Sequence, residues 1–328
     1  MTDPEILVEG IKAGQRKALA KAITLSESSR ADHRAQAIDI LEMIGAGHDN
    51  TIRLGISGPP GVGKSTFIEA FGLHDISQGY RVAVLAIDPS SVISGGSVLG
   101  DKTRMEVLSR DPDAFIRPSP AGRTLGGVAR RTHEAMMFCE AAGFNLIIIE
   151  TVGVGQSETM VVDMTDLLLL LLLPGGGDDL QGIKRGIVEL ANIVIVNKAD
   201  GNLKLAAEQT AMDYSMARHA QSSGEGGDDF LVRTCSALTG EGLPEVWDLV
   251  EKYYQRLLTK GSIAPHRAEQ RCRWLWTETS ECLLDVLRGD PAVKAELHSV
   301  EQAVREGTML PMTASRRLLD AFLGRLGD

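Results

Sequence analysis

Residues 52–66 read Ile-Arg-Leu-Gly-Ile-Ser-Gly-Pro-Pro-Gly-Val-Gly-Lys-Ser-Thr, an apolar strand that runs straight into a glycine-rich loop and a helix start. Gly58 to Ser65 meet every position of the pattern G-x-x-x-x-G-K-[ST]. Gly58, Gly61 and Gly63 let the backbone turn and approach a bound group closely. The amides from Val62 to Thr66 then face inward, and the following helix aims its positive end at an anion. Lys64 adds a full positive charge, and the Ser65 hydroxyl suits a magnesium ion that bridges two phosphates. A glycine-rich turn with no ligand is the plain alternative, and the strand before and helix after the loop argue against it.

Around this loop the pattern alternates. Helical stretches separate strands expected at 81–87, 115–117, 145–150, 166–173, 193–196 and 230–234. Such alternation predicts an α/β fold with a mostly parallel sheet, helices on both faces, and ligands at the carboxyl ends of the strands. Leu167 to Leu173 is too short for a bilayer, which needs about 20 helical residues, and reads as a doubly buried strand. Residues 4–25 carry a helical stripe with a gap at Gly14, and a second helix follows over 31–46; together they form a prefix expected to pack on the main domain. From 241 onward the chain turns helical, as a dimer arm or as a cap on its own subunit. The expected division is 1–48, 49–260 and 261–328.

The net charge of −10 excludes general nucleic-acid and anionic-membrane binding, which need a clustered basic excess. Cys139, Cys235, Cys272 and Cys282 fall in no C-x-x-C spacing and the start of the chain shows no apolar signal core, so a reduced cytoplasmic setting is expected.

Two strand ends select the base. Asn197-Lys198-Ala199-Asp200 closes one, and Ser236-Ala237-Leu238 closes the next. The Asp200 carboxylate can accept from both the N1–H and the 2-amino group of guanine, whereas adenine offers no such donor pair. Asn197 is expected to hold the loop, Lys198 to lie along the base plane, and the Ala237 N–H to meet the guanine oxygen. A third strand releases Glu150-Thr151-Val152-Gly153, with Glu150 ordering the metal's shell and Gly153 meeting the γ-phosphate. Val154 stands where a water-orienting glutamine is usual, which predicts feeble unaided hydrolysis.

Asp88 and Asp101 can reach magnesium or its waters, Asp88 can also orient the attacking water, and Arg104 can offset phosphate charge. A solvated charged loop is the plain alternative for Asp101 and Arg104. Residues 174–184 carry three consecutive glycines, then Asp178, Asp179 and Lys184. They read as a mobile loop reporting nucleotide state, with Lys184 able to swing in, or as an inert turn.

Together, Gly-Pro-Pro-Gly-Val-Gly-Lys-Ser, Ile-Asp-Pro-Ser-Ser, Gly-Asp-Lys-Thr-Arg-Met, Glu-Thr-Val-Gly-Val-Gly-Gln-Ser-Glu, Pro-Gly-Gly-Gly-Asp-Asp-Leu-Gln and Asn-Lys-Ala-Asp strongly resemble the MeaB/MMAA (ArgK) family of SIMIBI-class P-loop GTPases. The likeness extends to Arg16-Lys17-Ala18-Leu19-Ala20 and the helical tail. It implies GTP and GDP as ligands, with Mg2+ in an environment of Ser65, Asp88, Asp101 and Glu150, and Asp178 to Lys184 as a partner-responsive switch. It implies a homodimer formed through the C-terminal helices. It also implies a chaperone role toward adenosylcobalamin-dependent methylmalonyl-CoA mutase, with the cobalamin adenosyltransferase as a further partner. The chain shows no Asp-x-His-x-x-Gly pattern, so the cobalamin would belong to the partner. The rival readings are a nickel metallochaperone of the urease or hydrogenase type, which wants clustered Cys or His ligands not seen here, and a small-molecule kinase, which wants ATP.

Overall fold

The computed structural model describes residues 3–45, 50–87, 105–118, 125–151, 157–175, 185–221 and 231–324. Within these, seven strands form one parallel sheet: β1 (Ile52–Ser57), β2 (Val82–Ile87), β3 (Ala114–Pro118), β4 (Leu146–Thr151), β5 (Leu167–Leu172), β6 (Ile193–Val196) and β7 (Leu231–Thr234). Their order is β3-β2-β4-β1-β5-β6-β7. The chain leaves β1 toward β2 on one side, while β5 begins the walk to β6 and β7 on the other. The loop after β1 therefore sits at the crevice where such sheets bind ligands.

Burial explains the leucine run. Leu168, Leu170 and Leu172 of β5 pack under one layer of helices, and Leu167, Leu169 and Leu171 under the other, so neither face tolerates a polar residue. One layer holds α4 (Lys64–Ser77), α5 (Glu106–Arg110) and α10 (Leu243–Thr259), with Phe67 stacked on Phe71 and Phe71 against Trp247. The opposite layer holds α6 (Leu125–Ala141), α7 (Ser157–Val162), α8 (Arg185–Leu190), α9 (Lys204–Gln221) and the prefix.

The prefix differs from its expected outline. It forms α1 (Pro4–Lys12), α2 (Arg16–Glu27) and α3 (Ala31–Ile44), where one helix was expected over 4–25. Gly14 turns into the left-handed region at φ +69, which ends α1 and restarts the chain as α2. Leu7, Ile11, Leu19, Ile23 and Ile40 then share one core with the sheet. Arg34 grips the buried Glu134 of α6 with a fork of 2.7 and 2.9 Å, and Arg117 of β3 pairs with Glu27. The prefix is thus fixed to the main domain by apolar packing and by buried charge.

The chain forms two compact units, Met1–Gln270 and Arg271–Asp328. The division falls inside α11 (Ile263–Gly289), later than the boundary expected at 260, because the start of this helix is bound into the first unit. The Arg267 guanidinium donates twice to Asp166, at 2.8 Å each, and also to Thr51 O at 2.5 Å. Gln270 donates to Thr165 O at 2.8 Å. Within the second unit, α12 (Pro291–Arg305) is capped by Asp290 and pairs with α13 (Pro311–Leu323) through Val293, Val300 and Ala314.

Candidate functional site

The phosphate loop is shaped by close contacts that leave no room for side chains. A Cβ on Gly58 would lie 2.6 Å from Leu171 O of the neighbouring strand. Gly63 caps α4 at φ +89, a conformation only glycine adopts without strain, and a Cβ there would lie 3.1 Å from Asn197 Nδ2. Val62 is fully buried, so its side chain anchors the loop, while its N–H donates to Pro59 O at 3.3 Å and its O accepts from Asn197 Nδ2. Lys64 Nζ donates to Gly58 O at 2.6 Å and to Pro59 O at 3.2 Å, which places the ammonium over the loop itself. Ser65 and Thr66 follow in the first turn of α4, where backbone N–H groups lack helical partners.

Beside the loop, β4 delivers Glu150 in register with Ile56 of β1. Strand alternation puts Glu150 on the face of Leu146 and Ile148, the face covered by α4, and it is only 3% exposed. The next residue, Thr151, points the other way and donates to Ser57 Oγ at 2.9 Å, bracing the ends of β4 and β1.

Two side chains, Asn197 and Lys198, join the loops at 197–200 and 236–238 to the phosphate loop. Asn197 Nδ2 donates to Val62 O at 2.9 Å, and its Oδ1 accepts from the Ala237 N–H at 3.1 Å and from Cys235 Sγ at 3.6 Å. Burial pushes the Cys235 thiol up to about 12, so it stays protonated as a donor. Lys198, at φ +60 the one non-glycine with positive φ among the described residues, donates from Nζ to Gly61 O at 2.7 Å. Ser236 Oγ donates to Asp200 Oδ2 at 2.5 Å and accepts from the Thr239 N–H, which positions one carboxylate oxygen.

A second tie was not visible in the motifs. Lys204, the first residue of α9, meets Glu241 at 2.6 Å, and that carboxylate holds the ammonium above its ordinary range. Glu241 O also accepts from the Ser236 N–H at 2.9 Å. Only a partner 37 positions away gives this lysine meaning, so no local pattern could have found it.

One expected role shifts. The Ala237 N–H is directed at Asn197 rather than outward, whereas the Leu238 N–H makes no hydrogen bond among the described residues. The Leu238 side chain is 80% exposed. Asp88, Asp101, Arg104, Gly153 and the segment Asp178 to Lys184 lie outside the described residues.

The site therefore gathers, at one end of the sheet, a glycine-shaped loop with a lysine, a hydroxyl and a buried carboxylate. Beside them lies a carboxylate with one oxygen positioned by Ser236. This arrangement matches a purine nucleotide with N1–H and a 2-amino group.

A family profile described as Methylmalonyl Co-A mutase-associated GTPase MeaB matches residues 19–292. The chain is 42% identical over 311 residues to the GTPase ArgK of Escherichia coli, a match spanning 95% of this chain and 94% of that one. It is 45% identical over 330 residues to the methylmalonic aciduria type A homolog, mitochondrial, of Mus musculus, spanning 97% of this chain and 79% of the relative. Among solved structures, that of a LAO/AO transport system kinase aligns with a TM-score of 0.74 at 34% identity, covering 98% of this chain and 99% of that chain.

Proposed function

The chain belongs to the family of methylmalonyl-CoA mutase-associated GTPases, MeaB, and from that membership we propose that it is a GTP-hydrolysing chaperone for an adenosylcobalamin-dependent methylmalonyl-CoA mutase. The observation that carries the GTP part is the direct pairing of Ser236 with Asp200 at strand ends that Asn197 and Lys198 tie to the phosphate loop. The mutase part rests on the family description and on the kinship to the methylmalonic aciduria protein.

In this reading, guanine donates its N1–H and 2-amino group to Asp200, and its oxygen meets the loop at Ala237 or, by the direction of the amides, at Leu238. Lys198 lies beside the base. The β- and γ-phosphates rest on the amides from Gly61 to Thr66, with Lys64 turning from its own loop carbonyls to the phosphates.

Magnesium fits the donors present, since the Ser65 hydroxyl and the Glu150 carboxylate are hard oxygen ligands on one face of the sheet. Asp88 and Asp101 complete its surroundings in this proposal. When bound, the ion neutralises charge on the outer phosphates.

Asp88 orients the attacking water, Arg104 and Lys184 offset charge on the leaving phosphates, and the Gly153 N–H senses the γ-phosphate. With Val154 in place of a glutamine, unaided turnover is slow and the partner supplies acceleration. Hydrolysis then shifts the chain between states of different affinity for the mutase, coupling nucleotide to cofactor loading, protection and reactivation. The cobalamin adenosyltransferase is a further partner in this scheme.

The nickel reading finds no supporting cluster, because among the described residues no three His, Cys, Asp or Glu gather as metal ligands. No helix among the described residues is long and apolar enough to cross a membrane.

The test is capture of methylmalonyl-CoA mutase by the tagged chain in the presence of magnesium with GTP or GDP. The proposal expects the mutase to be retained, with the amount depending on which nucleotide is present. Equal absence of mutase under both conditions would remove the chaperone reading while leaving GTP binding intact.

A further inference from the structure

At the amino-terminal ends of the strands, opposite the nucleotide, a cavity of about 580 Å³ opens between the α1–α2 turn, the starts of β1, β2 and β3, and the α6–β4 turn. That volume falls in the range of small-molecule sites. None of the motifs that build the GTP site contributes to it.

Its centre is Arg81. The guanidinium stacks on Phe144 at 4.6 Å from the ring centroid, its Nη1 donates to Ala142 O at 2.8 Å, and its Nε lies 3.5 Å from Asp113. Three contacts thus orient the fork, while its Nη2 makes no hydrogen bond among the described residues. The walls are pared back around it. A Cβ on Gly143 would lie 2.9 Å from Nη1, and one on Gly14 would meet Nη2 at 3.5 Å.

Other donors share this cavity. Lys12 lines it and makes neither hydrogen bond nor ion pair with any described residue. Asn145 accepts the Arg81 N–H at its Oδ1, at 2.7 Å, which leaves its amide Nδ2 free to donate. The two acidic side chains in the lining each face a guanidinium, although Glu140 Oε2 makes no hydrogen bond among the described residues. Glu140 accepts from Arg53 Nε at 2.7 Å and is sealed from solvent, and Asp113 faces Arg81. Once these pairs are set aside, the lining keeps one unanswered cation, Lys12, and spare N–H donors converging from three segments of chain.

We propose that this cavity is a second ligand site, separate from the nucleotide site, for a small molecule bearing a carboxylate or phosphate group. An oriented guanidinium with a free edge, an ammonium and an amide form a donor set for oxyanions, which favour charge-assisted and forked hydrogen bonds. This site does not depend on the guanine reading.

The test is calorimetric titration of sodium citrate, and separately of inorganic phosphate, into the full chain saturated with GDP in magnesium-free buffer at low salt, so that the phosphate loop is already filled. Saturable binding of either probe is expected, citrate alone pointing to a carboxylate ligand and phosphate alone to a phosphate ester. Lys12→Glu, a change at an exposed position, is expected to weaken it by about fivefold or more. Arg81→Lys, which keeps the charge but loses the fork, is expected to weaken it about tenfold, with GDP affinity unchanged in both variants. Absence of saturable binding to the GDP-loaded chain overturns the proposal, and so does binding that Lys12→Glu leaves unchanged. If Arg81→Lys fails to fold, Lys12→Glu decides alone.

Discussion

Asp200 and Asp75 are two aspartates whose surroundings make opposite demands. Asp200 is half-buried with one oxygen positioned by Ser236, ready for two donors side by side. Asp200→Asn replaces one acceptor by an N–H pair that faces the 2-amino group of guanine. A purine with a carbonyl at that carbon, xanthine, should instead be favoured. Affinity for GTP is expected to fall by about 100-fold or more, and affinity for xanthosine triphosphate to rise, as competition binding would show. Retained GTP affinity would remove Asp200 from base recognition. Asp75, in α4, is fully buried, and neither carboxylate oxygen has a hydrogen-bond partner among the described residues. Burial lifts its pKa to about 9. The folded chain therefore holds a proton there that the unfolded chain loses near pH 4, so stability is full below about pH 4 and declines as pH rises toward 9, by about 1.4 kcal/mol per pH unit at most. Asp75→Asn removes this titration. Denaturant melts should show the variant gaining on the parent from about pH 5 to pH 8. A constant difference across that range would show that Asp75 does not titrate as burial demands.

At the scale of elements, what the sequence made legible was whatever depends on neighbours in the chain. The strand-loop-helix of 52–77 and the strand ends at Asn197 and Ser236 could be read because a few adjacent residues carry their chemistry. The sheet could be read because each strand is an apolar run between helical stretches. The ties between elements could not. Asn197 meets Val62 across 135 positions, and Arg267 meets Thr51 across 216, because sheet order brings them together and no periodicity records it. The Arg267–Asp166 pair, with both side chains 2% exposed or less, binds the root of α11 into the first unit. Losing one partner of such a buried pair costs about 3 to 5 kcal/mol. Farther along α11, in the second unit, Leu275, Trp276, Leu283 and Val286 are each more than half exposed and recur at helical spacing. An apolar face of this kind marks an interaction surface, and it supports the proposal that this unit dimerises. Light scattering should give twice the 35.2 kDa chain mass, and Trp276→Glu should return it to a monomer with nucleotide affinity intact. A monomeric parent would refute the arm, and the helices would then serve a different contact.

For the whole molecule, one sheet carries the strand ends from which the proposed nucleotide site is built. The loops at 197–200 and 236–238 are tied to the phosphate loop through Asn197 and Lys198, so in the proposed function the nucleotide rests on strand ends already linked to one another. Asp88, Asp101, Gly153 and Asp178 to Lys184, the positions expected to respond to the γ-phosphate, lie outside the described residues, and their roles rest on sequence and family resemblance. A chain with Val154 rather than glutamine directly after Gly153 should bind GTP well and hydrolyse it slowly by itself. In the proposed function, acceleration comes from the partner, as a chaperone coupled to hydrolysis requires. The direct measurement is the rate of phosphate release from GTP by the full chain, alone and with methylmalonyl-CoA mutase added. The account predicts slow release alone and acceleration of about tenfold or more with the mutase; the same rate with and without it would contradict the account.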